Sequence, residues 1–133
     1  MPATGWCRAA AAAAAVLLLA GCASQERGPV EQSAQAFAAA ASAGDTATAC
    51  ALLAPATSRA LEHDAELPCA VALGEEPLGG GQVQSVEVWG DEALVQLSDD
   101  TQFLTRTTAG WKVAAAGCTP NGEAPYDCRV EGP

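Results

Sequence analysis

The spacing of apolar residues changes once along this 133-residue chain, and that change constrains the fold more than any other feature. Between Val30 and Leu73 apolar side chains recur at three- and four-residue spacing; from Gln82 onward they recur at every second position. A period near 3.6 lines up one face of a helix, and a period of two lines up one face of a strand. The chain therefore reads as a helical half followed by a strand half. The expected class is α+β, with the helices covering one face of an antiparallel sheet.

In the helical half, Val30, Ala34, Phe37, Ala38 and Ala41 form one apolar stripe, with Pro29 in the first turn and Glu31 near the N-terminus. Gly44 ends this helix, and Asp45 reads as the N-cap of the next, which carries Ala49, Cys50, Leu52 and Leu53 before Pro55. A third short helix is expected from Thr57 to His63, and a further turn from Pro68 to Leu73 is stopped by Gly74. Glu75 to Gly81 reads as a Pro/Gly-rich loop. In the strand half, Val86 and Val88 flank Glu87. Ala93, Val95 and Leu97 then alternate with Leu94 and Gln96, Phe103 and Thr105 with Leu104 and Arg106, and Trp111, Val113 and Ala115 with Lys112, Ala114 and Ala116. Gly90-Asp91, Asp99-Asp100 and Ala109-Gly110 supply the turns. This predicts a four-stranded antiparallel meander.

Residues 1–21 have the layout of an export signal. Arg8 supplies the positive charge, and the apolar run from Ala9 to Ala20 is too short for a span of about 20 residues. The run ends in Leu19-Ala20-Gly21-Cys22, which resembles the bacterial lipobox. The resemblance implies a diacylglyceryl group on the Cys22 thioether and cleavage before Cys22, leaving 112 residues. Each buried acyl methylene is worth about 0.8 kcal/mol, so two chains hold where one does not. Residues 22–29 then read as a lipidated tether, 30–118 as the domain, and 119–133 as a disulfide-tied tail.

Charge supports that division. The whole chain carries −10; loss of Arg8 leaves five cations against 16 acids, or −11. A surface this acidic argues against nucleic-acid binding and is repelled by anionic headgroups, so the membrane partner is engaged through the lipid on Cys22. The expected location is extracytoplasmic, lipid-anchored to the cell membrane. Besides Cys22, the processed chain keeps Cys50, Cys69, Cys118 and Cys128, an even count that fits disulfides in an exported protein. Of three pairings, Cys50–Cys69 and Cys118–Cys128 close local loops and are preferred. Zinc is disfavoured because no CxxC spacing occurs and the sole histidine, His63, has no cysteine near it in sequence. A catalytic thiol would need an activating base, for which only that histidine exists.

The order of motifs resembles a known superfamily. A Phe-Ala…Ala-Gly-Asp…Ala-Cys-Ala-Leu-Leu stretch precedes Val-x-Val-Trp-Gly-Asp-x-Ala-x-Val-x-Leu, and Phe-Leu-x-Arg…Gly-Trp-Lys-Val follows. This is similar to small exported members of the nuclear-transport-factor-2-like, or cystatin-like, superfamily, and in particular to uncharacterised actinobacterial lipoproteins. The resemblance covers roughly Val30 to Cys118. It is most specific at Ala40 to Leu53, Val88 to Leu97 and Gly110 to Val113. It implies a helix-covered cone. It does not transfer a chemistry, because isomerases, cyclases, hydratases and non-enzymatic domains share that fold.

No side-chain set in the sequence stands out as catalytic or metal-binding, and no cofactor is implied. His63-Asp64 is the one His–carboxylate neighbour pair, but adjacent helical residues diverge by about 100° and read as a polar helix end. Asp99-Asp100 fits a hairpin turn better than a calcium loop. Glu75-Glu76 reads as solvated loop, and Gly79-Gly80-Gly81 as a flexible one without the Lys-Ser/Thr of a phosphate loop. Phe37, Trp89, Phe103 and Trp111 are candidate pocket or core residues, and Tyr126 is expected to pack the tail on the sheet. The leading expectation is an accessory or interaction domain facing an envelope protein, and not an enzyme. A second is a module binding a small apolar ligand inside the cone. A third, an isomerase- or cyclase-like enzyme, requires a carboxylate or His63 in that interior.

Overall fold

A computed structural model describes residues 25–133. The signal segment 1–21, Cys22 and residues 23–24 lie outside the described residues. Four helices precede five strands. Helix α1 covers 25–42, followed by α2 (Thr46–Leu52), α3 (Pro55–Ala65) and α4 (Cys69–Gly74). The strands are β1 (Val83–Trp89), β2 (Glu92–Leu97), β3 (Thr101–Thr107), β4 (Gly110–Asn121) and β5 (Ala124–Glu131). They form one antiparallel sheet in the order β1-β2-β3-β4-β5, which does not close.

The helical stripe falls where its period places it. Val30, Ala34, Phe37 and Ala38 are buried on α1, and Ala41 is half-buried. They face Val86, Ala93, Val95, Leu97, Leu104 and Val113 across the sheet, and each large side chain taken from water contributes about 1.5–3 kcal/mol. Gly44, at φ +73°, takes the left-handed position that ends α1. Asp45 caps α2 by accepting the Thr48 N–H at 3.3 Å. Pro55 both follows α2 and opens α3, so α3 starts two residues before the expected Thr57 and runs two beyond His63. Residues 25–29, expected to belong to the tether, are already part of helix α1. Pro29 is tolerated because its missing N–H deprives only the carbonyl of Gln25, one helical turn earlier.

The sheet has five strands, not the expected four. Residues 119–133, read as a tied tail, complete β4 and form β5. The turn signal Asn121-Gly122 and the alternation Tyr126, Cys128, Val130 were present in the sequence, but Pro120 and Pro125 argue against a central strand. The conflict resolves because Pro125 sits near the start of an edge strand, and Pro120 sits in β4 where the register with β5 is irregular, between Thr119 and Asn121.

Both preferred disulfides are formed. Cys50–Cys69 joins α2 to α4, and Cys118–Cys128 joins paired residues of β4 and β5. No described helix is long and apolar enough to cross a membrane.

Candidate functional site

The space between helices and sheet is occupied by side chains. Phe37, Val95, Leu104 and Val113 are each at most 1% exposed. Among the described residues, two polar side chains are buried, and each reaches a backbone carbonyl: Gln102 Nε2, inside this space, donates to Ala34 at 3.3 Å, and Thr57 Oγ1, at the start of α3, donates to Ala114 at 2.9 Å. Gln102 Oε1 is buried without a partner. A cavity of about 90 Å³ persists at the α1–α2 corner, among Ala41, Gly44, Thr46 and Leu73.

A larger concavity lies on the opposite face of the sheet. Gln102 and Leu104 point toward α1, so Phe103 and Thr105 point away from it. A bulge in the β3–β4 pairing sets Phe103 opposite Ala115 and Leu104 opposite Val113, leaving Ala114 as the extra residue. The Ala114 carbonyl turns outward, where it accepts Thr57 Oγ1 at 2.9 Å and the Gly132 N–H at 3.1 Å. These bonds bring the start of α3 and the end of β5 together around an open cleft of about 640 Å³. Phe103 and Tyr126 meet edge-to-face across its floor, with ring centroids 5.2 Å apart. Ala54, Ala56, Ala115 and Pro125 widen the apolar lining, and Glu92 and Glu131 supply its carboxylates. Glu92 Oε1 accepts the Thr105 hydroxyl at 2.8 Å.

A polar cluster joins the start of α1 to the sheet. Glu26 Oε2 accepts the Trp111 indole N–H at 2.8 Å and pairs with Arg106 at 3.1 Å. Arg106 reaches Asp91 at 3.1 Å through Nε and lies 5.0 Å from the Trp111 ring centre. The indole hydrogen bond holds the Glu26 carboxyl below the usual glutamate range; partial desolvation opposes this and Arg106 assists. Nearby, Arg27 donates to the Val86 carbonyl of edge strand β1 at 2.9 Å.

The opposite end of the sheet carries Asp100. Its Oδ1 accepts the Thr101 N–H at 2.8 Å, whereas Oδ2 is buried without a hydrogen-bond partner. Burial raises its pKa, and the backbone N–H groups of Thr101, Gly117 and Cys118 pull it partly back. Neither of the Gly117 and Cys118 N–H groups makes a hydrogen bond to Oδ2.

The expected residues separate into three places. Phe37 and Trp111 are core, at 1% and 6% exposure, and Phe103 lines the outer cleft with Tyr126. Trp89 departs from the expectation of pocket or core: it is 51% exposed at the β1–β2 turn. The Gly79-Gly80-Gly81 run, expected to be flexible, is packed. The Gly80 carbonyl accepts the Asp99 N–H at 3.0 Å, and a Cβ on Gly79 would overlap the Asp99 carbonyl. His63 Nδ1 does reach Asp64 Oδ1, at 3.3 Å, despite the divergence of adjacent helical positions. Both side chains are nearly fully exposed and neither lines the cleft. Asp99 and Asp100 form the β2–β3 turn, closed by the Leu97 N–H on the Asp100 carbonyl at 2.8 Å.

Sequence reasoning missed the cleft because β5 was not counted as a strand, and it missed the Glu26–Arg106–Trp111 cluster because the three lie up to 85 residues apart. No group of three or more His, Cys, Asp or Glu side chains converges as a metal site among the described residues. Comparison with protein-family models, with curated proteins and with solved structures finds no match to this chain.

Proposed function

We propose that the protein is a lipid-anchored extracytoplasmic accessory or interaction domain, held to the membrane through Cys22 and working through its surface. The observation that carries this reading is the cysteine pairing. The four cysteines of the described residues pair among themselves, as suits an oxidising compartment, and so leave Cys22 to the lipobox-like Leu19-Ala20-Gly21-Cys22. The filled interior supports action at the surface. The cone-like likeness to the nuclear-transport-factor-2-like superfamily belongs to the same proposal. It rests on the motif order and agrees with helices followed by an antiparallel meander. No reaction forms part of the reading.

The Phe103–Tyr126 cleft favours a second reading, a small apolar ligand held on the outer face of the sheet and not inside the cone. Membrane fractionation of wild type and Cys22→Ala, with mass analysis of the Cys22 peptide, tests the anchor. Release of the variant and a diacylglyceryl mass on the wild type are expected; equal retention refutes the anchor. A photo-crosslinking residue at Tyr126 in cells separates the two readings: a protein adduct favours the interaction domain, and a small-molecule adduct the ligand module.

A further inference from the structure

We propose that the Trp89-Gly90-Asp91 turn docks on the surface of the bilayer that holds Cys22, with the Trp89 ring at headgroup level. This rests on the lipid-anchor reading. Three residue steps separate Cys22 from the start of the described α1, which spans at most about 11 Å even when fully extended. The next residue, Glu26, is fixed to the sheet by Trp111 at 2.8 Å and by Arg106 at 3.1 Å. Arg106 in turn holds Asp91 through two contacts: its Nε to Oδ1 at 3.1 Å, and its backbone N–H to the Asp91 carbonyl at 2.8 Å. Trp89 is two residues from Asp91, about 7 Å along the chain. A membrane attached at Cys22 is therefore brought to the end of the sheet that carries this turn.

Topology gives the same orientation. Strands β1 and β3 run toward that end and β2 and β4 leave it, so the turns after Trp89 and after Thr107 both point the same way as the start of α1. Helix α1 then runs about 27 Å across the sheet. Its far half meets the other end, where Gln35 donates to the Gly81 carbonyl at 3.1 Å and Gly80 lies against Ser42. The Asp99-Asp100 turn is at that far end, away from the bilayer.

The chemistry of the turn selects the kind of contact. Trp89 and Val71 are the exposed large hydrophobic residues among the described ones, and Trp89 is the one placed at the anchored end. An indole with one apolar face and one N–H donor favours the interface between headgroups and acyl chains. Asp91, 77% exposed, and Glu92, the cross-strand partner of Trp89, resist deeper entry. With the protein so acidic, the contact is apolar and suits a zwitterionic surface.

The test uses protein purified from membranes in detergent, with the mass on Cys22 measured first. It is then reconstituted into phosphatidylcholine vesicles brominated on the acyl chains close to the headgroup, which quench tryptophans they touch. Wild-type protein should lose the emission of Trp89, while Trp89→Phe, which leaves Trp111 buried, should lose almost none. If Cys22 bears lipid and the wild type is no more quenched than Trp89→Phe, the docking is wrong and the anchor stands. If Cys22 bears no lipid, the anchor and the docking fall together.

Discussion

Trp111 donates its indole N–H to Glu26 Oε2 at 2.8 Å, joining the first described turn of α1 to the start of β4 across 85 positions of sequence. The ring is 6% exposed and Arg106 lies over it, so one side chain serves the core, the helix start and a cation. These roles separate by substitution. Trp111→Ala should cost about 3–5 kcal/mol in denaturant unfolding, the range for loss of a large buried aromatic. Trp111→Phe keeps much of the packing, loses only the N–H, and should fall well short of that range.

The same bond gives Glu26 a pH signature. Its folded pKa lies below the ordinary glutamate value of 4.5, so its contribution is present above that value and is lost as pH falls through the depressed one. Glu26→Gln should therefore lower Tm near neutrality, with the gap to wild type closing in acid. An equal gap at all pH values would show that the carboxylate charge is not what holds α1.

How much of this was legible follows from range. The stripe Val30, Ala34, Phe37 and Ala38, the Asp45 cap and the alternation of Ala93, Val95 and Leu97 depend on neighbours within a few residues, and periodicity captures them. Cys50–Cys69 and Cys118–Cys128 were legible because each closes a short loop. Strand β5 was obscured by local signals in conflict, a good turn beside two prolines, which are reconciled by the edge position of β5 and by the irregular pairing at Pro120. The outer cleft and the burial of Trp111 against Glu26 depend on which strands neighbour one another. No spacing in the sequence encodes that directly, and the same limit put Trp89 among the pocket or core candidates.

The two disulfides close loops of 19 and 10 residues, and at such lengths each is worth about 3 kcal/mol if its effect is to restrict the unfolded chain. Cys50→Ser with Cys69→Ser, and Cys118→Ser with Cys128→Ser, should thus lower stability by similar amounts in chemical unfolding. Intact mass of the oxidised protein should show no alkylation at these four positions before reduction. Four accessible thiols would contradict both bonds.

Gly79 tests whether the triple-glycine run is a spacer or a packed element. A Cβ there would overlap the Asp99 carbonyl, which belongs to backbone and cannot swing aside. Gly79→Ala should destabilise by about 1–3 kcal/mol, the usual cost of overpacking. Lengthening a flexible loop, or adding a methyl to one, would cost far less, so a neutral result would restore the flexible reading. Gly28, whose Cβ would meet nothing within 4 Å, serves as a control for space, apart from its helical propensity, for which alanine is the better residue.

Asp100 should behave in the opposite sense to Glu26. Its Oδ2 is buried without a hydrogen bond, and burial raises its folded pKa above the ordinary aspartate value of 3.8. An acid shifted upward binds its proton more tightly in the folded state. Ionisation therefore removes stability as pH rises from about 3.8 through the folded pKa, and the whole loss is in place above it. Asp100→Asn cannot ionise and keeps a carbonyl oxygen for the Thr101 N–H, the contact now made at 2.8 Å. The Tm of the variant minus that of wild type should become more positive as pH rises above the ordinary aspartate value of 3.8, because only wild type then acquires the buried charge. A difference that stays flat would mean that Asp100 ionises as freely in the folded protein as in the unfolded chain, with water or the Gly117 and Cys118 amides satisfying Oδ2. A difference that moves the other way would mean that those amides bind the carboxylate more strongly than burial opposes it.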